Sequence, residues 1–174
     1  MKITKNFLKK QNACEYGYIW FCDQKETELV PLLKKLMSKK IQNQIRNEYS
    51  DNSLDWANWL IVRKMKYKQY VSYSVFAAEQ VIYIYEQKRP NNNAARKAIE
   101  SAKKCINSPI KKNKEKAAAA AACAGFAGFT AATAAHAAHA ATTAHYAVYY
   151  ASAVSADEDK MKKKILKYGI KLLL

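Results

Sequence analysis

The amino-acid sequence predicts an all-α protein, a compact multi-helix bundle around a long Ala-rich central helix. Three observations carry that expectation. Residues 117–156 contain no Asp, Glu, Lys or Arg, and 21 of those 40 positions are Ala. Ala has the best intrinsic helix propensity, and its methyl lets another backbone come close. Apolar residues elsewhere recur at helical spacing, and no strand-like alternation persists anywhere. Only 4 Gly and 3 Pro occur in 174 residues, too few punctuators for a turn-rich β architecture. The length suits a single helical domain over residues 1–174, with enough apolar content to bury a core.

Residues 1–10 read as an N-terminal tail, and 11–107 as outer amphipathic helices. Over 11–24, Cys14, Tyr18 and Phe21 stand at i, i+4 and i+7, with Ala13, Gly17 and Trp20 alongside; that is a wide apolar stripe. Gly17 inside it suits a close backbone approach, as by an Ala face of the long helix. Residues 29–47 carry Leu29, Leu32, Leu33, Leu36, Ile41 and Ile45 with Lys on the other side, and Pro31 fits a first turn. Asp51, Asn52 and Ser53 supply cap residues before a helix on which Trp56, Trp59, Leu60 and Arg63 recur. A Tyr-rich helix follows over 68–88, ended by Pro90, and a short amphipathic helix over 94–106 stops near Pro109.

Lys111 to Lys116 form a charged lead into the Ala-rich core helix, 113–156. Within it the larger residues at 129, 132, 136, 139, 143, 146, 150 and 153 trace an a/d-like seam. That seam carries imidazoles, a hydroxyl and phenols where a coiled coil would carry Leu. Asp157, Glu158 and Asp159 then open a C-terminal helix over 157–174, with acids in its first turn as the helix dipole prefers.

Charge is the second signal. The formal net charge is +16, which favours anionic partners: nucleic acid, a nucleotide or an acidic protein surface. Scarce Glu argues that genome bias alone does not explain it. Cys14, Cys22, Cys105 and Cys123 form no CxxC pair and have no His at zinc-finger spacing, so they are expected as core thiols. The N-terminus lacks an apolar signal-peptide core, which points to the cytoplasm. The uncharged segment is long enough to span a bilayer, yet its His, Thr and Ser and its weakly hydrophobic Ala argue against membrane insertion.

Catalytic signatures are missing. His136 and His139 lie one turn apart, but no carboxylate exists in the segment to complete a metal site. No metal and no cofactor is expected, and the expectation is a protein that is not an enzyme. A hydrolase or transferase built on the His136/His139 seam would need Glu15, Glu79 or Glu100 from another helix. Interleaved Lys64, Lys66, Tyr67, Lys68, Tyr70 and Tyr73 suit stacking of bases over a basic surface, or lysines that snorkel around a Tyr-rich core helix. The Trp pair of Asp55-Trp56-Ala57-Asn58-Trp59 suits a core anchor or a partner hot spot.

Several of these motifs occur together in one family. Ala13-Cys14-Glu15-x-Gly17-x-x-Trp20, then Leu54-Asp55-Trp56-Ala57-x-Trp59-Leu60, then Arg96-Lys97-Ala98-Ile99-Glu100-x-Ala102, and then a long Ala/Tyr-rich helix follow in the family's order. Across residues 11 to 156 the chain resembles the immunity-protein-five-like group of bacterial immunity proteins. It departs from that group in being strongly basic and in placing His and Thr where relatives carry acids and more Tyr. The resemblance implies a cytoplasmic antidote that binds a toxin or effector protein and neutralises it by occlusion. Residue type and family motif together nominate Trp56, Trp59, Arg63, Arg96, Glu100, His136 and His139 as binding residues. The alternative is a nucleotide- or nucleic-acid-binding protein with a basic surface, sequestering its ligand in a phage–host contest.

Overall fold

A computed structural model describes residues 1–124 and 141–174, and side-chain surroundings for 1–119, 144 and 146–174. Eleven helices account for the described chain, with no strand among the described residues; the protein is all-α. The described residues group into two compact units, Met1–Leu60 and Ile61–Leu174.

The first unit opens with α1 (Lys5–Lys10), capped by Thr4, whose hydroxyl accepts from the Phe7 amide. A tail is expected there, but backbone pairing holds it in place. The Ile3 amide donates to the Thr27 carbonyl at 2.8 Å and the Leu29 amide to the Met1 carbonyl at 2.8 Å. The Met1 ammonium adds an ion pair with Glu28 at 2.7 Å. Ile3 is fully buried beneath this pairing.

The stripe over 11–24 folds as α2 (Glu15–Cys22). The single helix expected over 29–47 is instead two, α3 (Leu29–Leu36) and α4 (Lys39–Tyr49). Ser38 explains the break: its hydroxyl donates to the Lys35 carbonyl at 2.7 Å and accepts from the Ile41 amide at 3.4 Å. Such local side-chain bonds compete with helix continuation and favour an N-cap. The expected leucines and isoleucines do face inward, with Leu33 and Ile45 at 0% exposure. Ser53, at the start of α5 (Ser53–Lys64), donates its buried hydroxyl to the Leu36 carbonyl at 2.8 Å.

In the second unit α6 (Tyr67–Glu79) packs against several neighbours. The Tyr-rich helix expected over 68–88 breaks near Gln80–Val81, and α7 (Ile82–Lys88) continues it. Then come α8 (Ala94–Asn107), α9 (Lys111–Ala124), α10 (Ala141–Ala153) and α11 (Glu158–Leu173). α8 packs on α6 and α9, while α10 and α11 pack on α6 and on each other. Small residues make this closeness possible: Ala78, Ala95, Ala98, Ala102 and Ala117 join Val71, Val75 and Ile99 in one cluster. The Ala-rich segment is thus described in two parts, α9 and α10, and residues 125–140 lie outside the described residues.

Gly17 meets a different neighbour from the one the sequence suggests. A Cβ there would lie 3.0 Å from Cys14 Sγ and 3.7 Å from the Trp56 ring, so an aromatic ring rather than an Ala face covers it. The cysteines also differ from the expectation of core thiols. Cys105 is buried, but Cys22 is half-buried and Cys14 is exposed, because Cys14 precedes α2 as its N-cap residue rather than lying on its inner face. The Cys123 side chain falls outside the described set.

Candidate functional site

Trp56 sits in an aromatic cluster of the first unit. Its ring centroid lies 6.2 Å from that of Trp20 and 5.9 Å from that of Tyr49, and Tyr49 lies 5.5 Å from Tyr16. Its indole Nε1 donates to Asp51 Oδ2 at 2.8 Å, so the polar end of the ring is satisfied as burial of an aromatic requires. Trp59, one turn on, is half-buried. Arg63 and Lys64, at the end of α5, are half-buried too, and removal from water lowers both pKa values from the ordinary ones.

Two nominated residues come together on α8. Arg96 makes a bidentate pair with Glu86 of α7, Nε to Oε1 at 2.6 Å and Nη2 to Oε2 at 2.7 Å. Glu100, one turn along, accepts from Lys103 Nζ at 2.9 Å, and the same ammonium reaches Glu79 of α6 at 2.8 Å. Arg96 and Glu100 border a shallow open recess of about 390 Å³ with Asn93, Lys97, Ser101 and Lys104. These pairs are solvent-exposed, so each contributes well under about 1 kcal/mol. They fix the orientation of α7 and α6 against α8 more than they stabilise it.

His136 and His139 lie outside the described residues. Among the described residues no group of three or more His, Cys, Asp or Glu is placed to hold a metal ion. No described helix is long and apolar enough to cross a membrane.

The Lys/Tyr run of α6 divides by depth. Tyr73 is fully buried, and desolvation raises its phenol well above the ordinary value. Tyr67 and Tyr70 are half-buried, with rings edge to face at 5.5 Å. Lys114 of α9 sits 4.8 Å over the Tyr67 ring, a cation–π geometry. Desolvation first, and then the neighbouring Cys105 and Tyr70, push the Tyr67 phenol up to about 12.

Among the described residues of the second unit, α10 carries a cluster of exposed aromatic side chains. Its inner face is Ala144, Ala147, Val148, Ala151 and Ser152, all buried. Its outer face carries Tyr146 at 53% exposure, Tyr149 at 48% and, just past its end, Val154 at 53%. The three tyrosine rings cluster: Tyr146 to Tyr150 at 6.5 Å and Tyr149 to Tyr150 at 5.4 Å. The described part of the a/d-like seam, at 146, 150 and 153, therefore faces outward or to the margin. Small residues take most of the inside, where their short side chains let the backbone of α10 lie close to α6.

Beside it, α11 buries Ile165, Leu166, Gly169 and Ile170 and turns Lys160, Lys164, Lys167 and Lys171 to solvent. Those four stand at i, i+4, i+7 and i+11, a stripe about 16 Å long at 1.5 Å per residue. None of the four makes an ion pair among the described residues. The acids nearby are engaged: Asp157 accepts from the Lys160 amide at 2.9 Å and Glu158 from Lys162 Nζ at 2.8 Å. Lys162 is the inward lysine, 2% exposed, and its Nζ lies 6.0 Å over the Tyr149 ring. The Lys spacing was visible in the sequence, whereas the outward turn of the tyrosines was not.

No family model, curated protein or solved structure matches the chain.

Proposed function

We propose that the chain is a non-enzymatic binding protein of the antidote type, which neutralises an acidic protein partner in the cytoplasm by covering it. The observation that supports this reading is the adjacency of two surfaces in the second unit. An uncharged helix presents a tyrosine cluster, and the helix packed against it presents an unpaired lysine stripe. Interfaces concentrate their energy in aromatic anchors surrounded by polar groups, and charge complementarity sets the partner and the on-rate. Tyr146, Tyr149 and Tyr150 supply the anchors and the α11 lysines supply the field. A single-stranded nucleic acid would favour cations interleaved with the rings themselves, and residues 141–156 contain none.

Photo-crosslinking in host lysate tests the reading. Benzoylphenylalanine replaces Tyr149 in one variant and Tyr83 of α7, equally exposed at 54%, in a control. The expected result is a discrete protein adduct from position 149 and none from position 83. Equal adducts from both positions, or adducts at 149 that nuclease removes, overturn it.

A further inference from the structure

We propose that α3 and α4 form a helix–turn–helix whose second helix reads double-stranded DNA in the major groove. The proposal concerns the first unit and stands independently of the antidote reading.

Residues 37–38 make a fixed turn rather than a loose one. Besides the two Ser38 bonds, Gln42 Nε2 donates to the Met37 carbonyl at 2.7 Å from a side chain only 4% exposed. α3 turns Leu29, Leu32, Leu33 and Leu36 inward, and α4 turns Ile41, Gln42 and Ile45 inward. That leaves Lys39, Lys40, Asn43, Arg46 and Asn47 exposed on one outer face of α4.

Four residue choices on this face, Lys39, Lys40, Asn43 and Asn47, are not explained by side-chain contacts among the described residues. Lys39 and Lys40 occupy the first turn of α4, which holds no acid, so they oppose its dipole. Asn43 sits mid-helix and Asn47 in the last turn of α4, and Asn is a poor helix former at both. Neither carboxamide makes a hydrogen bond among the described residues. Across residues 29–49 stand Lys34, Lys35, Lys39, Lys40 and Arg46 against the single acid Glu48, which accepts from Gln44 at 3.2 Å.

Duplex DNA answers each of these features. Lysines on both sides of the turn meet phosphates, and carboxamides at i and i+4 meet adenine edges. A helix enters the major groove of B-DNA, whereas the deep, narrow groove of A-form RNA refuses it. An acidic protein would engage the lysines and leave the carboxamides idle.

The test measures anisotropy of a labelled random-sequence DNA duplex across a salt series, with selection from a randomised duplex library in parallel. All substituted positions are exposed, and circular dichroism confirms that each variant keeps its helix content. Lys39→Ala/Lys40→Ala is expected to weaken binding to every duplex about tenfold and to reduce the salt slope by about two. Asn43→Ala/Asn47→Ala is expected to leave random-duplex binding unchanged and to abolish the preference recovered by selection. Lys88→Ala/Arg89→Ala, two exposed cations at the end of α7, serves as the charge control and is expected to leave duplex binding within about twofold. No duplex binding at about 50 mM salt overturns the proposal. So do a control loss as large as that of the α4 lysines, tighter binding to duplex RNA than to DNA, and a selected preference that survives the asparagine substitutions.

Discussion

Gly169 of α11 faces the ring of Tyr73 of α6 so closely that a Cβ on Gly169 would lie 2.6 Å from Cε2 and 3.1 Å from Cδ2 of that ring. Ile61 Cδ1 closes the same space at 3.2 Å. One turn away Tyr168 stacks on Phe76 at 4.0 Å. Gln69 bonds to the Leu172 carbonyl, so the pairs 69–172, 73–169 and 76–168 set an antiparallel register. The glycine is required by close approach, and the register holds α11 with its lysines outward.

Gly169→Ala is therefore expected to destabilise the protein by about 2–3 kcal/mol through overpacking, despite the better helix propensity of Ala. Urea unfolding measures it. Because the clash is with the Tyr73 ring, Gly169→Ala/Tyr73→Leu is expected to cost less than the sum of its parts.

Trp56→Phe keeps an aromatic ring beside Trp20 and Tyr49, removes the indole bond to Asp51 and trims the ring that packs over Gly17. Its expected cost is about 2–3 kcal/mol, from the lost hydrogen bond to a charged acceptor together with the lost ring packing. Asp51→Ala in the Trp56→Phe background is expected to add less than it does alone, which a double-mutant cycle of unfolding free energies checks.

Lys162 is buried along its stem, with its ammonium on Glu158. Lys162→Met, which retains the stem, is expected to lie within about 1 kcal/mol of the parent. Lys162→Ala, which leaves a void beside α10, is expected to cost about 2 kcal/mol or more. Equal losses in thermal or urea unfolding would show that charge rather than volume matters there.

Glu86 gives a pH-dependent outcome. The hydrogen bond from Arg96, more than its charge, holds the Glu86 carboxyl below its ordinary value of 4.5. A carboxyl lowered on folding contributes stability above its unfolded pKa, and that contribution is lost as pH falls through the folded value. Both partners are largely exposed, so Glu86→Gln is expected to cost less than about 1 kcal/mol at neutral pH. The difference is expected to vanish at acid pH, as parallel pH–stability curves would show.

Helical class was legible in the sequence because composition and period 3.6 agree along the whole chain. Helix ends were legible where caps are strong, as at Asp157, and missed at Ser38, whose one hydroxyl splits a continuous leucine pattern. Facing was legible for branched aliphatics and illegible in α10. There the small residues line the interior and the large ones do not, reversing the usual hydrophobic assignment. Of the nominated residues, Arg96 and Glu100 share one face as their i, i+4 spacing implies, and the Glu100–Lys103 pair follows from i, i+3 spacing, but the contacts of Arg96 with Glu86 and of Lys103 with Glu79 come from helix packing that no motif encodes. Trp56 and Trp59 are positioned by α5, and the two histidines lie beyond the described residues.

Native mass spectrometry of the protein purified from its host at low salt tests the central claim most directly, with a Tyr149→Ala/Lys164→Glu/Lys167→Glu variant run beside it. The account predicts a stoichiometric complex with one acidic protein, released by salt and absent from the variant. Recovery without a protein partner, or with a partner that the variant retains equally, contradicts it.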